Sequence, residues 1–136
     1  MIVIDTGPIV AMANQQDRHH ARCVRWFDAA PRPLLLPAPI LTEVCYLIER
    51  EPGVAVEAAF LRSVRDEIFT LVALTSSDLD RMAELVETYA SLPLGAADAS
   101  VIAVAERLKL TEVATLDRRH VTVVRPNHVD ALTLLP

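Results

Sequence analysis

The sequence predicts an α/β protein with a central, mainly parallel sheet covered by helices on both faces. Three observations predict it. Short, continuously apolar runs rich in Val, Ile and Leu alternate with longer stretches of helical apolar period. That is the pattern of strands buried on both faces and joined by helical crossovers. Two of the runs end in an aspartate, Asp5 after Met1-Ile2-Val3-Ile4 and Asp117 after Val113-Ala114-Thr115-Leu116, and open parallel sheets bind ligands beyond the carboxyl ends of their strands. At 136 residues and 52% apolar composition, the chain suits one domain spanning residues 1–136 with a sizeable core.

Each element has a local reason. Residues 1–5 read as a buried strand. Thr6-Gly7-Pro8 starts a helix to about Asn14, with Thr6 or Gly7 as N-cap and Pro8 in the first turn. Asp17 caps a second helix, with Val24 and Phe27 turned inward, that ends near Pro31. Leu34-Leu35-Leu36, bracketed by prolines, is a short strand. Pro39 opens a helix to about Glu51, stopped by Pro52-Gly53. Residues 54–67 form the next helix and 68–74 a strand. Ser76 or Ser77 caps a helix whose apolar stripe is Leu79, Met82, Ala83, Val86 and Tyr89. After Pro93, an Ala-rich helix runs from Gly95 to Lys109. Val113–Leu116 is a strand, and the β-branched run Val121–Val124 suggests a short last one.

Bulk properties narrow the class. Cys23 and Cys45 fall in separate helical patterns and read as reduced core residues, as in a cytoplasmic protein. The N-terminus lacks a basic region and meets an acid at Asp5, unlike a signal peptide. No uncharged apolar stretch approaches the ~18 residues of a membrane span. The net charge of −5 weighs against nucleic acid unless the acidity is gathered at a cation site. All 13 basic residues are arginine except Lys109, and arginine suits bidentate phosphate contacts.

Four acids occupy positions where apolar residues would be the ordinary choice. Asp5 and Asp117 close strands. Glu43 lies one helical turn from Ile40 and from Leu47, and Asp98 one turn from Leu94 and from Val101 and Ile102. Carboxylates are seldom buried unless paired or bound to metal. Four together would repel one another and call for a hard divalent cation. The plainer alternatives are a first-turn acid favouring the helix dipole for Asp98 and a solvated helix edge for Glu43. Glu57 also has apolar neighbours at helical spacing, so inward placement of an acid is not unique to the four.

Motif context separates them. Ile2-Val3-Ile4-Asp5-Thr6-Gly7-Pro8, Thr42-Glu43-Val44, Leu94-Gly95-Ala96-Ala97-Asp98-Ala99 and Ala114-Thr115-Leu116-Asp117-Arg118-Arg119-His120 together resemble a PIN domain, in order and over essentially the whole chain. Length and order resemble the VapC-type toxins of bacterial toxin–antitoxin modules. The resemblance implies a three-layer α/β/α fold and an endoribonuclease dependent on Mg²⁺ or Mn²⁺. Asp5, Glu43, Asp98 and Asp117 would be its catalytic acids. Asp5 and Asp98 would be the primary metal ligands, with Glu43 and Asp117 binding directly or through water. The cation would polarise the scissile phosphate and lower the pKa of a bound water. The resemblance further implies a cognate antitoxin, homodimerisation, a cytoplasmic location and no sequence-specific DNA binding by this chain. Gly7 departs from the many relatives that carry Ser or Thr there.

The remaining chemistry is sparser. Thr6 and Thr115 are candidate hydroxyl supports for the acids, with helix cap and strand residue as their alternative roles. Arg18, Arg118, Arg119 and His120 are candidate RNA contacts, and solvated surface is the alternative for each. His19 and His20 are adjacent on a helix and face different ways, which does not suit zinc. There is no Gly-x-Ser-x-Gly nucleophile elbow and no Walker-A loop. Phosphotransfer folds with an aspartate after the first strand need a lysine near the phosphate, and Lys109 sits at a helix end. Phe27, Phe60 and Phe69 read as core, leaving Trp26 as the aromatic candidate for base stacking. A non-catalytic RNA- or protein-binding module with a structural cation site is the competing function.

Overall fold

The structure is a computed structural model and describes residues 1–136. Five strands form one sheet: β1 (Ile2–Ile4), β2 (Leu34–Pro37), β3 (Thr70–Val72), β4 (Glu112–Ala114) and β5 (Thr133–Leu135). Their order is β3-β2-β1-β4-β5 and every pair is parallel. Seven helices connect them: α1 (Thr6–Ala13), α2 (His20–Ala29), α3 (Ala38–Arg50), α4 (Val54–Arg65), α5 (Ser76–Thr88), α6 (Ala96–Arg107) and α7 (Arg118–Val123). Parallel neighbours need crossovers, and crossovers are right-handed. The helices between β1, β2 and β3 therefore cover one face, and those between β3, β4 and β5 the other.

The core follows from the strands. Ile2, Val3 and Ile4 are at most 1% exposed, because β1 is central, with Val3 registered against Leu35 on one side and Val113 on the other. The main cluster joins them to Leu34 and Leu36, to Ile40, Val44 and Ile48 of α3, and to Val101, Val104 and Ala105 of α6. A second cluster joins Met82 and Leu85 of α5 to Leu94, Ile102 and Ala103, with Val121 and Val124 closing it. Phe69 stacks tilted on Phe27 and Phe60, with centroids 5.6 and 5.8 Å away. Trp26 packs half-buried against the same core. Both cysteines are free, Cys23 fully buried and Cys45 partly so.

Several local expectations are corrected. Val121–Val124 is not a strand: residues 118–123 are α7. Asp117 accepts the His120 backbone N–H and starts the helix, while Val121 and Val124, three residues apart, are buried with Thr122 and Val123 exposed. The last strand is Thr133–Leu135, an edge strand paired only to β4. The inner face of α5 is Asp78, Met82 and Leu85, whereas Leu79 is 55% and Val86 38% exposed. Both faces of α5 carry apolar residues, so periodicity could not choose between them. The choice is made by Asp78, whose carboxylate receives Arg107 Nε from α6 at 3.0 and 3.1 Å. On α3 the buried face is Ile40, Val44 and Ile48, and Leu47 is exposed. Glu43 therefore stands at the edge of that face.

Three caps also shift. Asp5, not Thr6 or Gly7, caps α1. Thr75, not a serine, caps α5 in a capping box with Asp78. His19 occupies the cap position of α2, with Asp17 Oδ1 accepting the His19 N–H at 2.8 Å.

Candidate active site

The carboxyl end of β1 is the natural place for a site. The chain leaves β1 towards β2 on one side, while β4 lies on the other, so the crevice between β1 and β4 is a topological switch point. Asp5 and Asp117 follow those two strands. Asp5 N donates to Ala114 O at 2.9 Å, fastening the two strand ends together. The second residue pair comes from helices. Glu43 is in the second turn of α3, and Asp98 is the third residue of α6, after its cap Gly95. The fold brings all four to one open cleft of about 440 Å³, lined by Asp5, Thr6, Gly7, Glu43, Asp98, Leu116 and Asp117. Glu57, on α4, is not among the lining residues.

The acids are held by short polar chains. Asp5 Oδ1 accepts the Thr6 N–H at 2.8 Å, and Oδ2 accepts the Thr115 hydroxyl at 2.8 Å. Thr115 Oγ1 in turn accepts the Asp117 N–H at 3.0 Å. A single fully buried threonine thus links two acids that follow different strands. Asp117 Oδ1 accepts the His120 N–H at 3.1 Å, and Oδ2 lies 2.6 Å from His120 Nδ1. Thr6, which also lines the cleft, has its hydroxyl oxygen buried with no partner.

Electrostatics mark the same place. Asp5 is 5% exposed, and burial pushes its pKa up to about 6. The Thr115 and Thr6 hydrogen bonds oppose the shift, and the charges of Asp98 and Glu43 add to it. Asp98 is also raised, chiefly by burial and then by Asp117 and Glu43, while the Gly95 backbone amide and His120 pull it down. Burial and mutual repulsion are what a cation at this point would relieve. The donors are all hard oxygens, which fit Mg²⁺ or Mn²⁺. No three His, Cys, Asp or Glu side chains converge tightly enough to enclose a metal ion.

The profile of the PIN domain family matches residues 2–125. The chain belongs to the PIN domain family. Its likeness runs to VapC-type PIN proteins: it is 27% identical over 135 residues to Ribonuclease VapC26 of Mycobacterium tuberculosis, spanning 99% of this chain and 100% of that protein. Among solved structures it superposes on M. tuberculosis VapC20, described as a Sarcin-Ricin loop cleaving toxin, with a TM-score of 0.76. The identity there is 19%, over 83% of this chain and 87% of that one. FitAcB from Neisseria gonorrhoeae gives 0.67 at 19% identity, over 100% and 97%. These two likenesses establish the PIN fold.

The outlying candidates of this PIN chain are dispersed. Arg18 is not among the cleft residues, and its Nε donates to His19 Nε2 at 3.1 Å. Arg118 Nη2 donates to Pro136 O at 3.1 Å, fixing the end of the chain beside α7. Arg119 is exposed. One cleft residue, Leu116, carried no functional signal in the sequence. Leu116 lines the cleft with Gly7, and a Cβ on Gly7 would meet Leu116 Cβ at 3.1 Å and Cγ at 3.3 Å. Gly7, the departure from the family pattern, lets Leu116 seat directly on the first turn of α1.

Proposed function

We propose that this PIN protein is an Mg²⁺- or Mn²⁺-dependent endoribonuclease and acts as the toxin of a toxin–antitoxin pair. The observation that carries the reading is the cleft itself. Four carboxylates from four elements face one space at the switch point of the sheet, and Asp5 is buried there at the cost of a raised pKa. Family membership and the ribonuclease name of a full-length relative support it.

Each residue has a task in this reading. Asp5 and Asp98 hold the ion, with Asp5 pinned by Thr6 N–H and Thr115 Oγ1. Glu43 and Asp117 bind it directly or through water. When bound, the ion supplies Lewis acidity at the phosphate and a nucleophilic water near neutral pH. Thr115 ties the Asp5 carboxylate to the backbone N–H of Asp117, a positioning that in-line attack requires. Arg119, exposed after Asp117, is free to meet a neighbouring phosphate, whereas Arg118 and Arg18 are available only if they leave their present partners.

Residues 1–136 form one PIN-like domain in this reading, working in the cytoplasm. A cognate antitoxin would block the acidic cleft with a cationic side chain, and a second copy of the chain would complete a homodimer. No helix of the chain is long and apolar enough to cross a membrane.

The deciding experiment is RNA cleavage by the purified protein with and without divalent ions. Cleavage should require Mg²⁺ or Mn²⁺ and drop by at least about a hundredfold in Asp5→Asn and in Asp98→Asn, with circular dichroism unchanged. Cleavage that survives both substitutions would sink the assignment. Ion binding without any cleavage would favour the non-catalytic module instead.

A further inference from the structure

Tyr46 is the one aromatic side chain exposed to solvent, at 58%. The others are committed: Phe27, Phe60 and Phe69 to one another, and Trp26 and Tyr89 half-buried against the two core clusters. A ring left in water forgoes the burial an aromatic ordinarily gains. Its place on α3 connects it to the acids. Glu43, Tyr46, Leu47 and Arg50 fall at i, i+3, i+4 and i+7, one face of the helix, and Glu43 lines the acidic cleft. α3 starts directly after Pro37, at the carboxyl end of β2, and the cleft lies at that end of the sheet. Helical side chains lean towards the N-terminus of their helix, so Tyr46 and Arg50 lean towards the cleft. Arg50 Nη1 reaches back one turn and donates to the Tyr46 hydroxyl at 2.7 Å, with the guanidinium carbon 5.4 Å from the ring centroid. Arg50 is exposed and forms no ion pair with a carboxylate. Along the helix axis Tyr46 stands about 4.5 Å and Arg50 about 10 Å beyond Glu43.

We propose that Tyr46 stacks on a base of the single-stranded RNA that leaves the cleft, with Arg50 meeting the phosphate beside it. The proposal rests on the ribonuclease reading above. Single strands are held by aromatic faces for the bases and by cations for the backbone, and this face of α3 carries one of each beside an acid of the cleft. Every base has a π-face, so stacking of this kind tolerates any sequence. Tyr46 therefore supplies grip on the strand and no sequence choice. The cleft itself is acidic, and a cation without an acidic partner is what a phosphate passing beyond it requires. The other occupant such a face could take is a second copy of the chain, and the test separates the two.

The test uses the full chain with Mn²⁺, a randomised RNA pool as substrate, and as competitor a strand of equal length that keeps the ribose phosphates and lacks the bases. The wild-type protein should hold the pool about tenfold more tightly than the abasic strand. Tyr46→Ala should erase that difference by raising KM for the pool about tenfold, the loss appearing in KM and not in kcat, with inhibition by the abasic strand unaltered. Tyr46→Phe should keep the wild-type KM, since the ring stacks without its hydroxyl. Arg50→Ala should weaken both strands alike and lower the salt slope of binding by about one. Size-exclusion chromatography follows the oligomeric state of each variant. A Tyr46→Ala protein with the wild-type KM overturns the proposal, as does a Tyr46→Phe protein as impaired as Tyr46→Ala. So does a loss of binding that accompanies a change of oligomeric state, because the face would then seat a second copy. A wild-type protein that cuts the pool but holds both strands equally overturns this inference alone. One that cuts no RNA overturns the ribonuclease reading, and this inference with it.

Discussion

Asp5 is an acid placed where its charge is expensive, and its stability effect has a definite sign. The folded pKa is about 6 against an ordinary 3.8. Below about pH 4 the group is protonated whether or not the chain is folded. Between about pH 4 and 6 the folded protein holds a proton that the unfolded chain releases, so stability falls as pH rises. Above pH 6 the loss is complete, at about 3 kcal/mol. Metal-free protein should therefore melt at a lower temperature at pH 7 than at pH 4.5 as far as Asp5 governs it. Asp5→Asn should flatten that slope and raise the pH 7 melting temperature, and a variant as pH-dependent as the wild type would refute the account. Thr115 is the other sensitive residue. Its hydroxyl donates to Asp5 and accepts from Asp117 N–H, so Thr115→Val should cost about 2 kcal/mol and raise the Mn²⁺ concentration needed for activity. Calorimetric melting and a metal titration would read the two effects. Of these residues, the sequence singled out the acids by their company, and the threonine only as one of two hydroxyl candidates.

Helices α5 and α6 are tied by charges as well as by their apolar seam. Asp78 is 2% exposed and receives Arg107, and Glu106, 9% exposed at its side chain, receives Arg81 at 2.9 Å. Burial would raise the Asp78 pKa, yet the Arg107 and Thr75 hydrogen bonds hold it below the ordinary carboxylate value. Removing one partner of such a pair leaves a buried charge uncompensated. Arg107→Ala should lower unfolding free energy by about 3 kcal/mol, measured by urea denaturation, whereas Arg65→Ala at the exposed Arg65–Asp66 pair should change it by less than about 1 kcal/mol. Equal effects at the two sites would contradict the burial argument. The same pair explains why the orientation of α5 differs from the one its periodicity predicts. Of the expected stripe Met82 is buried while Leu79 and Val86 are exposed, and the bond from Asp78 to a residue 29 positions away turns the helix so that Leu85 joins Met82 inside. α7 differs from expectation for a related reason: Val-Thr-Val-Val has strand propensity, but the Asp117 cap and the seat offered by the second core cluster outweigh it.

At the scale of the molecule, four acids are gathered at one end of a fully parallel sheet. A cation that binds there and not to the unfolded chain stabilises the fold by mass action, about 2.7 kcal/mol at a hundredfold excess over its Kd. Mn²⁺ should thus raise the melting temperature of the wild type and chelator should reverse it, with Asp5→Asn/Asp98→Asn indifferent to both. A shift retained in the double variant would place the ion elsewhere. The sequence by itself determined the alternation of strands and helices, the strand-end positions of Asp5 and Asp117, and the motif set that marks the family. Those features are local: burial on both faces demands continuous apolar runs, and a cap or strand end is set by its immediate neighbours. Only the tertiary structure decided that β5, not residues 121–124, closes the sheet, which face of α5 is inward, and that Thr115 and His120 support Asp5 and Asp117. Each of these depends on groups brought together by the fold, such as Thr115 and Asp5, which follow neighbouring strands and lie 110 positions apart, whose energies no local pattern encodes.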